Sequence, residues 1–167
     1  VIAPFPYDRV YFDRVLQFPG QHPEHPLGTD EVGRDYLSRL IYGARTSLIV
    51  ALSVQGIAVL IGIPLGAIAG YLGGKIDFVI TRLIDIMTAF PALLFAILII
   101  SVLGGGLRTI IVALSITSWI VIARLTRAQI LTLREQEYVN AARALGVSNW
   151  RIMLRHLMPN ALTPLIV

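Results

Sequence analysis

The chain has 167 residues, of which 56% are hydrophobic and 14% are charged, and its mean hydropathy is +0.74. Soluble domains carry about 25% charged residues, so this composition excludes an ordinary soluble protein and favours a lipid bilayer as the solvent. The net charge is +4 and cysteine is absent, which excludes disulfides and thiolate metal sites.

The first 45 residues are predicted to form an extracytoplasmic arm that ends in a short helix. Residues 1–26 contain five prolines and show no apolar periodicity, which predicts an extended arm on a surface. Thr29 or Asp30 is placed to cap a helix. Apolar residues at helical spacing from Leu37 predict that this helix lies at the membrane interface, although packing on neighbouring protein would give the same pattern.

Apolar stretches later in the chain predict a polytopic membrane protein, since a span needs about 20 apolar residues. The predicted complete spans are residues 46–72, 80–103 and 107–123, and a fourth span, cut short, begins at Ala161. Gly62, Gly66 and Gly70 lie four residues apart on one stripe of the first span, which predicts close helix packing. Arg82 and Asp85 are spaced for an ion pair within one helix.

The distribution of charge predicts the orientation of the chain in the membrane. Residues 124–160 carry six arginines and two acids, whereas residues 1–45 carry five arginines and six acids. Because an excess of Lys and Arg marks the cytoplasmic side, the loop 124–160 should face the cytoplasm and the arm the opposite side. Three spans between the arm and the loop agree with this orientation.

The arginine-rich loop is predicted to contain two short helices separated by a glycine. Gly146 suits the left-handed position that ends the first helix, and Ser148 is placed to cap the second. Alanines at 141, 142 and 144 would give the first helix a slim surface that fits a groove on a partner.

The spacing within this loop resembles the EAA loop of ABC importer permeases. That pattern has two small residues, a glycine four positions after the second, and a proline thirteen after the glycine. Ala141, Ala142, Gly146 and Pro159 occupy these positions, whereas Asn140 stands where the pattern has glutamate. Residues 26–45 are similar to the segment before the second span in the dipeptide, oligopeptide and nickel subfamily.

The resemblance implies an all-α, type I ABC importer transmembrane-domain fold that lacks the family's first span, most of the fifth and all of the sixth. It implies a permease subunit of an ATP-driven, binding-protein-dependent importer in the inner membrane of a prokaryote. The expected substrate is a di- or oligopeptide, with nickel or another solute as the alternative. The expected partners are ATP-binding cassette ATPase subunits, a homologous second permease subunit and an extracytoplasmic solute-binding protein.

The resemblance also implies that the loop contacts the ATPase subunit. The residues expected to make this contact are Asn140, Ala141, Ala142, Arg143, Leu145, Gly146, Val147 and Pro159. No catalytic residue, cofactor or metal is expected on this chain, and a separate chain should hydrolyse ATP. Gly74-Lys75 is no phosphate-binding loop, because Ala69 replaces its first glycine and Ile76 its Ser/Thr.

Three alternatives compete with this interpretation. Residues 141–157 also resemble a DNA-binding helix-turn-helix, but predicted spans tether them at both ends, so nucleic acid is not an expected partner. An ion-driven transporter needs ionisable groups at membrane depth, for which Arg82 and Asp85 are the candidates. His22 and His25 could share a metal, but we interpret them as solvated polar residues in the arm.

Overall fold

The computed structural model describes residues 2–166, with the side chains of residues 2–162. Its regular elements are helical, which confirms the predicted all-α class. They are α1 (Tyr36–Leu72), α2 (Gly74–Thr88), α3 (Ala92–Leu103), α4 (Leu107–Leu133), α5 (Glu137–Ala144), α6 (Asn149–Arg151), a π-helical segment (Ile152–Leu157) and α7 (Met158–Ile166). The chain divides into two compact units, residues 1–51 and 52–167, and the division falls within α1.

In the first unit, the helix begins later than predicted. Residues 29–35 form turns, and α1 starts at Tyr36 and continues to Leu72, so the described residues contain no separate interfacial helix. The reason is a competition between capping residues. Asp30 accepts hydrogen bonds from the backbone N–H groups of Val32 and Arg34, which closes a turn. Asp35 accepts one from Ser38 N at 2.7 Å, which is the geometry of a helix N-cap.

The arm is held together by a buried polar network, and the interpretation of His25 as solvated was wrong. His25 is 0% exposed, and its Nδ1 lies 3.0 Å from the Asp35 carboxylate. The rings of Phe5 and Tyr11 pack against the imidazole at centroid distances of 5.2 and 5.0 Å. A buried polar group needs a hydrogen-bond partner, and Asp35 supplies one to His25.

In the second unit, α4 packs closely along the part of α1 that carries the glycines at 62, 66 and 70. A Cβ at Gly62 would lie 2.7 Å from the Trp119 carbonyl, and one at Gly70 would lie 2.8 Å from the Arg127 carbonyl. Missing side chains therefore allow backbone-to-backbone approach. Gly62, Gly66 and Gly70 face residues 119, 123 and 127 in the same order, so α1 and α4 run parallel. Three spans that cross the membrane in alternating directions require this orientation for the first and the third.

The predicted span 80–103 is broken in the structure. α2 ends at Thr88 and α3 begins at Ala92, and their axes are bent by 77°. Pro91 lies at the break, where it has no N–H to donate and its ring would collide with the preceding turn. Within the described part of the chain, α1 and α4 are long and apolar enough to cross a membrane, and the bent pair makes a third candidate.

The pairing of charges near this break also differs from the prediction. Arg82 lies over the ring of Phe78 at 5.4 Å. Asp85 instead contacts Arg124 of α4 at 3.4 Å. A partner on the neighbouring helix has thus replaced the predicted partner on the same helix.

Candidate coupling surface

The short helix α5 ends in a glycine-dependent hydrogen-bonded turn. Gly146 has a φ of +76°, which confirms its predicted left-handed conformation. Its N–H donates to the carbonyl of Arg143 at 2.9 Å, and that of Val147 donates to the carbonyl of Ala142 at 3.1 Å. These are the two hydrogen bonds of a Schellman motif, in which glycine avoids the strain that a Cβ would cause. The turn therefore fixes the direction in which the chain leaves α5.

The second helix of the loop runs through α6 and the π-helical segment into α7. Ser148 occupies the N-cap position of α6, but its side chain makes no capping hydrogen bond, so that part of the prediction was wrong. The widened π turn precedes Pro159, which cannot donate to the Arg155 carbonyl and would crowd it in a regular helix. Asn160 Nδ2 donates to the His156 carbonyl at 2.7 Å beside this widened turn.

An apolar cluster, which we call the loop core, fastens α5 and the π-helical segment to the ends of α1 and α4. Its buried members are Ala67, Tyr71, Ile130, Val139, Ile152, Met153, Leu157 and Ala161. Val139 and Ile152 are 0% exposed, so each half of the loop contributes a fully buried anchor. Burying one aliphatic side chain of this size contributes about 1.5–3 kcal/mol. The loop is therefore part of the helix bundle rather than a free tether.

Polar contacts reinforce the same junction. The Tyr71 hydroxyl donates to the Asn149 side-chain oxygen at 2.8 Å, which joins α1 to the start of α6. Arg134 Nη1 donates to the Gly70 carbonyl at 2.9 Å. A guanidinium placed beside the last turn of a neighbouring helix satisfies a free carbonyl there and complements the helix dipole. These bonds set the position of the loop relative to the end of α1.

The residues predicted to contact an ATPase subunit divide into an outer and an inner group. Those exposed are Asn140, Ala141, Arg143, Leu145, Gly146 and Pro159. Ala142 and Val147 are partly buried and pack against the loop core. Ala142 follows Val139 by three residues, which places it on the inner face of α5. An external partner therefore meets Ala141 and Leu145 before it meets Ala142.

The structure adds Tyr138 to the outer group, and the sequence carries a signal for it. Tyr138, Ala141 and Leu145 follow the i, i+3, i+7 spacing of one helical face. Tyr138 is 40% exposed and Leu145 is 83% exposed. We call this face the outer stripe. Trp150, at 62% exposure, lies at the start of the second helix and was likewise missed.

The chemistry of the site is that of a contact surface. Among the described residues, no group of three or more His, Asp or Glu side chains is placed to hold a metal ion. Asn140 accepts a hydrogen bond from Arg143 Nη1 at 3.3 Å, and the Arg143 guanidinium lies 5.6 Å from the Tyr71 ring centroid. The loop thus presents an apolar stripe with arginine and amide groups beside it.

Fold and site together define a polytopic α-helical membrane protein with a rigid two-helix loop. Residues 62–167 match the family described as "Binding-protein-dependent transport system inner membrane component". The chain belongs to this family of inner-membrane transport components, since the matched segment covers more than half of it.

Individual relatives agree with the family assignment. The chain is 45% identical to the dipeptide transport system permease protein DppC of Alkalihalophilus pseudofirmus, over 89% of this chain and 49% of the relative. It is 41% identical to the protein of the same name in Bacillus subtilis, over 100% of this chain and 53% of the relative. The di/tripeptide transport system permease protein of Pseudomonas aeruginosa is 42% identical, over 99% and 56%. The chain spans about half the length of these relatives.

Proposed function

We propose that this chain forms part of the translocation pathway of an ATP-driven, binding-protein-dependent importer of di- and oligopeptides. The observation that carries the proposal is the outer stripe on a loop that the bundle holds rigidly. Leu145 is 83% exposed on an arginine-rich loop. A partner that covers this leucine would remove its apolar surface from water and so stabilise the complex. The proposed partner is a separate ATP-binding cassette ATPase subunit.

The proposed mechanism is mechanical coupling. ATP-driven closure of the ATPase subunits displaces α5, and the loop core transmits the displacement to α1 and α4, which reorients the pathway between its two sides. The chain supplies no cofactor of its own in this scheme. A second, homologous permease subunit completes the pathway, and an extracytoplasmic binding protein delivers the solute to the side of the arm.

Peptides are the proposed substrate because of the relatives. The proteins compared above are named for dipeptides or di/tripeptides, which supports peptides over the nickel alternative. The proposed orientation places the arm outside and residues 124–160 in the cytoplasm, as the arginine distribution indicates.

Site-specific crosslinking tests the proposed contact, and the absence of native cysteine gives this chain a clean background. A cysteine at Leu145 or Ala141, carrying a photoactivated crosslinker, should capture the ATPase subunit in the assembled transporter. A cysteine at Ala142 is the matched control, because that position faces the loop core and should crosslink weakly. Labelling of Leu145→Cys exclusively from the extracytoplasmic side would show that the orientation is inverted.

A further inference from the structure

Two aspartate–arginine pairs join α2 to α4, and they differ in how tightly they are held. Arg127 donates two hydrogen bonds to the Asp77 carboxylate, at 2.5 and 2.6 Å. Arg124 reaches Asp85 through one contact of 3.4 Å. The first pair has the bidentate geometry that fixes two helices together, and the second pair lacks it.

The loose pair is also the more open one. The side chains of Arg124 and Asp85 are 53% and 58% exposed, against 32% and 19% for Arg127 and Asp77. Asp85 and Arg124 lie in helices that are candidate membrane spans, near the cytoplasmic ends of those spans in the proposed orientation. Charged side chains in such segments face protein or a water-filled cavity, because hydrocarbon does not solvate them. This face of α2 and α4 is therefore suited to a polar pathway.

The break between α2 and α3 lies beside the same face. Pro91 has no N–H to give to the carbonyl of Met87, four residues earlier. Irregular backbone is tolerated at membrane depth where it is enclosed by protein or lines a cavity, and transporters bind substrates at broken helices of this kind. The break thus leaves backbone carbonyl groups, which accept hydrogen bonds, on the same face as the Asp85–Arg124 pair.

A cavity of about 430 Å³ lies between the break and α4. Its lining is mostly apolar and includes Phe90, Thr88, Thr117 and Ser118. The hydroxyls of Thr88, Thr117 and Ser118 donate to carbonyl groups of their own helices. Arg124 Nη2 lies 3.3 Å from the Thr88 hydroxyl, which connects the loose pair to the cavity. Ser118 lies about 17 Å along α4 from Leu107 at 1.5 Å per residue, which is about half of a 30 Å hydrocarbon core.

We propose that Asp85, Arg124 and the Thr88 hydroxyl form a transit site for a zwitterionic short peptide with free termini, beside the cavity that Ser118 lines. Asp85 pairs with the peptide's ammonium group, and Arg124 binds its carboxylate with two parallel hydrogen bonds. The termini of an extended dipeptide are about 7 Å apart, so the weakly held pair separates to admit them. This inference depends on the proposed function, because it assumes that peptides cross the membrane beside this chain.

Cysteine accessibility in the complete transporter, reconstituted in proteoliposomes, tests the site. Ser118→Cys should react with a charged, water-soluble methanethiosulfonate, whereas Leu98→Cys, on the exposed apolar surface of α3, should not. Dialanine at about ten times its dissociation constant should slow the reaction of Ser118→Cys about tenfold, since the fraction of free sites falls by that factor. Adding Asp85→Asn or Arg124→Gln should abolish this protection, measured in each variant as the ratio of the reaction rates with and without dialanine, because removing a charge also changes the rate without dialanine.

The outcomes separate this inference from the proposed function. If wild-type vesicles fail to import dialanine, the proposed function is refuted, and this inference with it. If they import dialanine but Ser118→Cys is inert to the charged reagent, other helices cover the face and the transit site is wrong. Protection that survives Asp85→Asn and Arg124→Gln unchanged would show that the pair does not bind the peptide, which also overturns the inference.

Discussion

Replacing Gly66 by alanine tests the close approach of α1 and α4 quantitatively. A Cβ at Gly66 would overlap the carbonyl oxygen of Ala123 and lie 2.8 Å from the Cβ of Thr126. Neither atom belongs to the end of a flexible side chain, so the helices must move apart. Overpacking of this kind costs about 1–3 kcal/mol. It opposes a gain of about 1 kcal/mol from the higher helix propensity of alanine.

Gly56→Ala is the matched control for this experiment. Gly56 lies in the same helix, but a Cβ there would meet no heavy atom within 4 Å, so the substitution keeps the propensity gain without a clash. We expect Gly66→Ala to be less stable than Gly56→Ala by about 1–3 kcal/mol. Unfolding of the purified permease in mixed detergent micelles, titrated with dodecyl sulfate, measures this difference. Equal stability of the two variants would refute the glycine-dependent packing of α1 on α4.

Three further predictions concern other contacts. Asp77→Asn or Arg127→Gln should lower the yield of folded permease on size-exclusion chromatography, and the exchanged pair Asp77→Arg/Arg127→Asp should restore part of it; full yield from either single variant would contradict a structural role. Gly146→Val should impair peptide uptake in vesicles while membrane insertion survives, because a residue with a Cβ in the left-handed conformation costs about 1–2 kcal/mol. Normal uptake by this variant would argue against a coupling turn. Burial raises the pKa of Asp35, but hydrogen bonds from Ser38 and His25 outweigh burial and lower that pKa overall. The ionised Asp35 therefore stabilises the arm above about pH 4, and this stability is lost as the pH falls through the lowered pKa. Hydrogen exchange of residues 2–35 should then accelerate, and protection that is unchanged down to pH 3 would contradict this prediction.

Local patterns in the sequence predicted those features that depend on few residues. The left-handed conformation of Gly146 follows from the capping preference of glycine, and the apolar spans follow from composition. The prediction that the helix begins near Thr29 was wrong, because Asp30 and Asp35 have the same capping preference and the sequence alone does not show which of them caps α1. Asp30 satisfies its own turn, and Asp35 gains a buried imidazole as a second partner. That second partner comes from His25, ten residues away, whose position requires the folded arm.

The break at Pro91 and the inner position of Ala142 show a second limit of sequence reasoning. An apolar run of sufficient length predicts one span, but it does not show whether a proline bends the span or divides it. Likewise, the resemblance to the EAA loop predicts a contact at Ala142, and this stays a prediction, but the resemblance does not show that this alanine also packs against the loop core. The periodicity of α5 does not separate Ala142 from Tyr138 and Leu145, because these residues share the i, i+4, i+7 spacing of one helical face, so the packing of the loop core decides which of them is covered.

The connections around the loop determine which helices a displacement of α5 moves. The loop core joins α5 to Ala67 and Tyr71 of α1 and to Ile130 of α4, and the close backbone approach at Gly66 carries this attachment along both helices. α3 packs along α4 and is carried with it, whereas α2 contacts α4 less extensively, and the 77° bend interrupts the backbone hydrogen bonding between α2 and α3. A pull on the outer stripe should therefore move α1, α4 and α3 together and change the angle between α3 and α2 at the break. Because the proposed transit site lies between α4 and this break, the same motion would open or close it, which gives the coupling a direct route to the substrate.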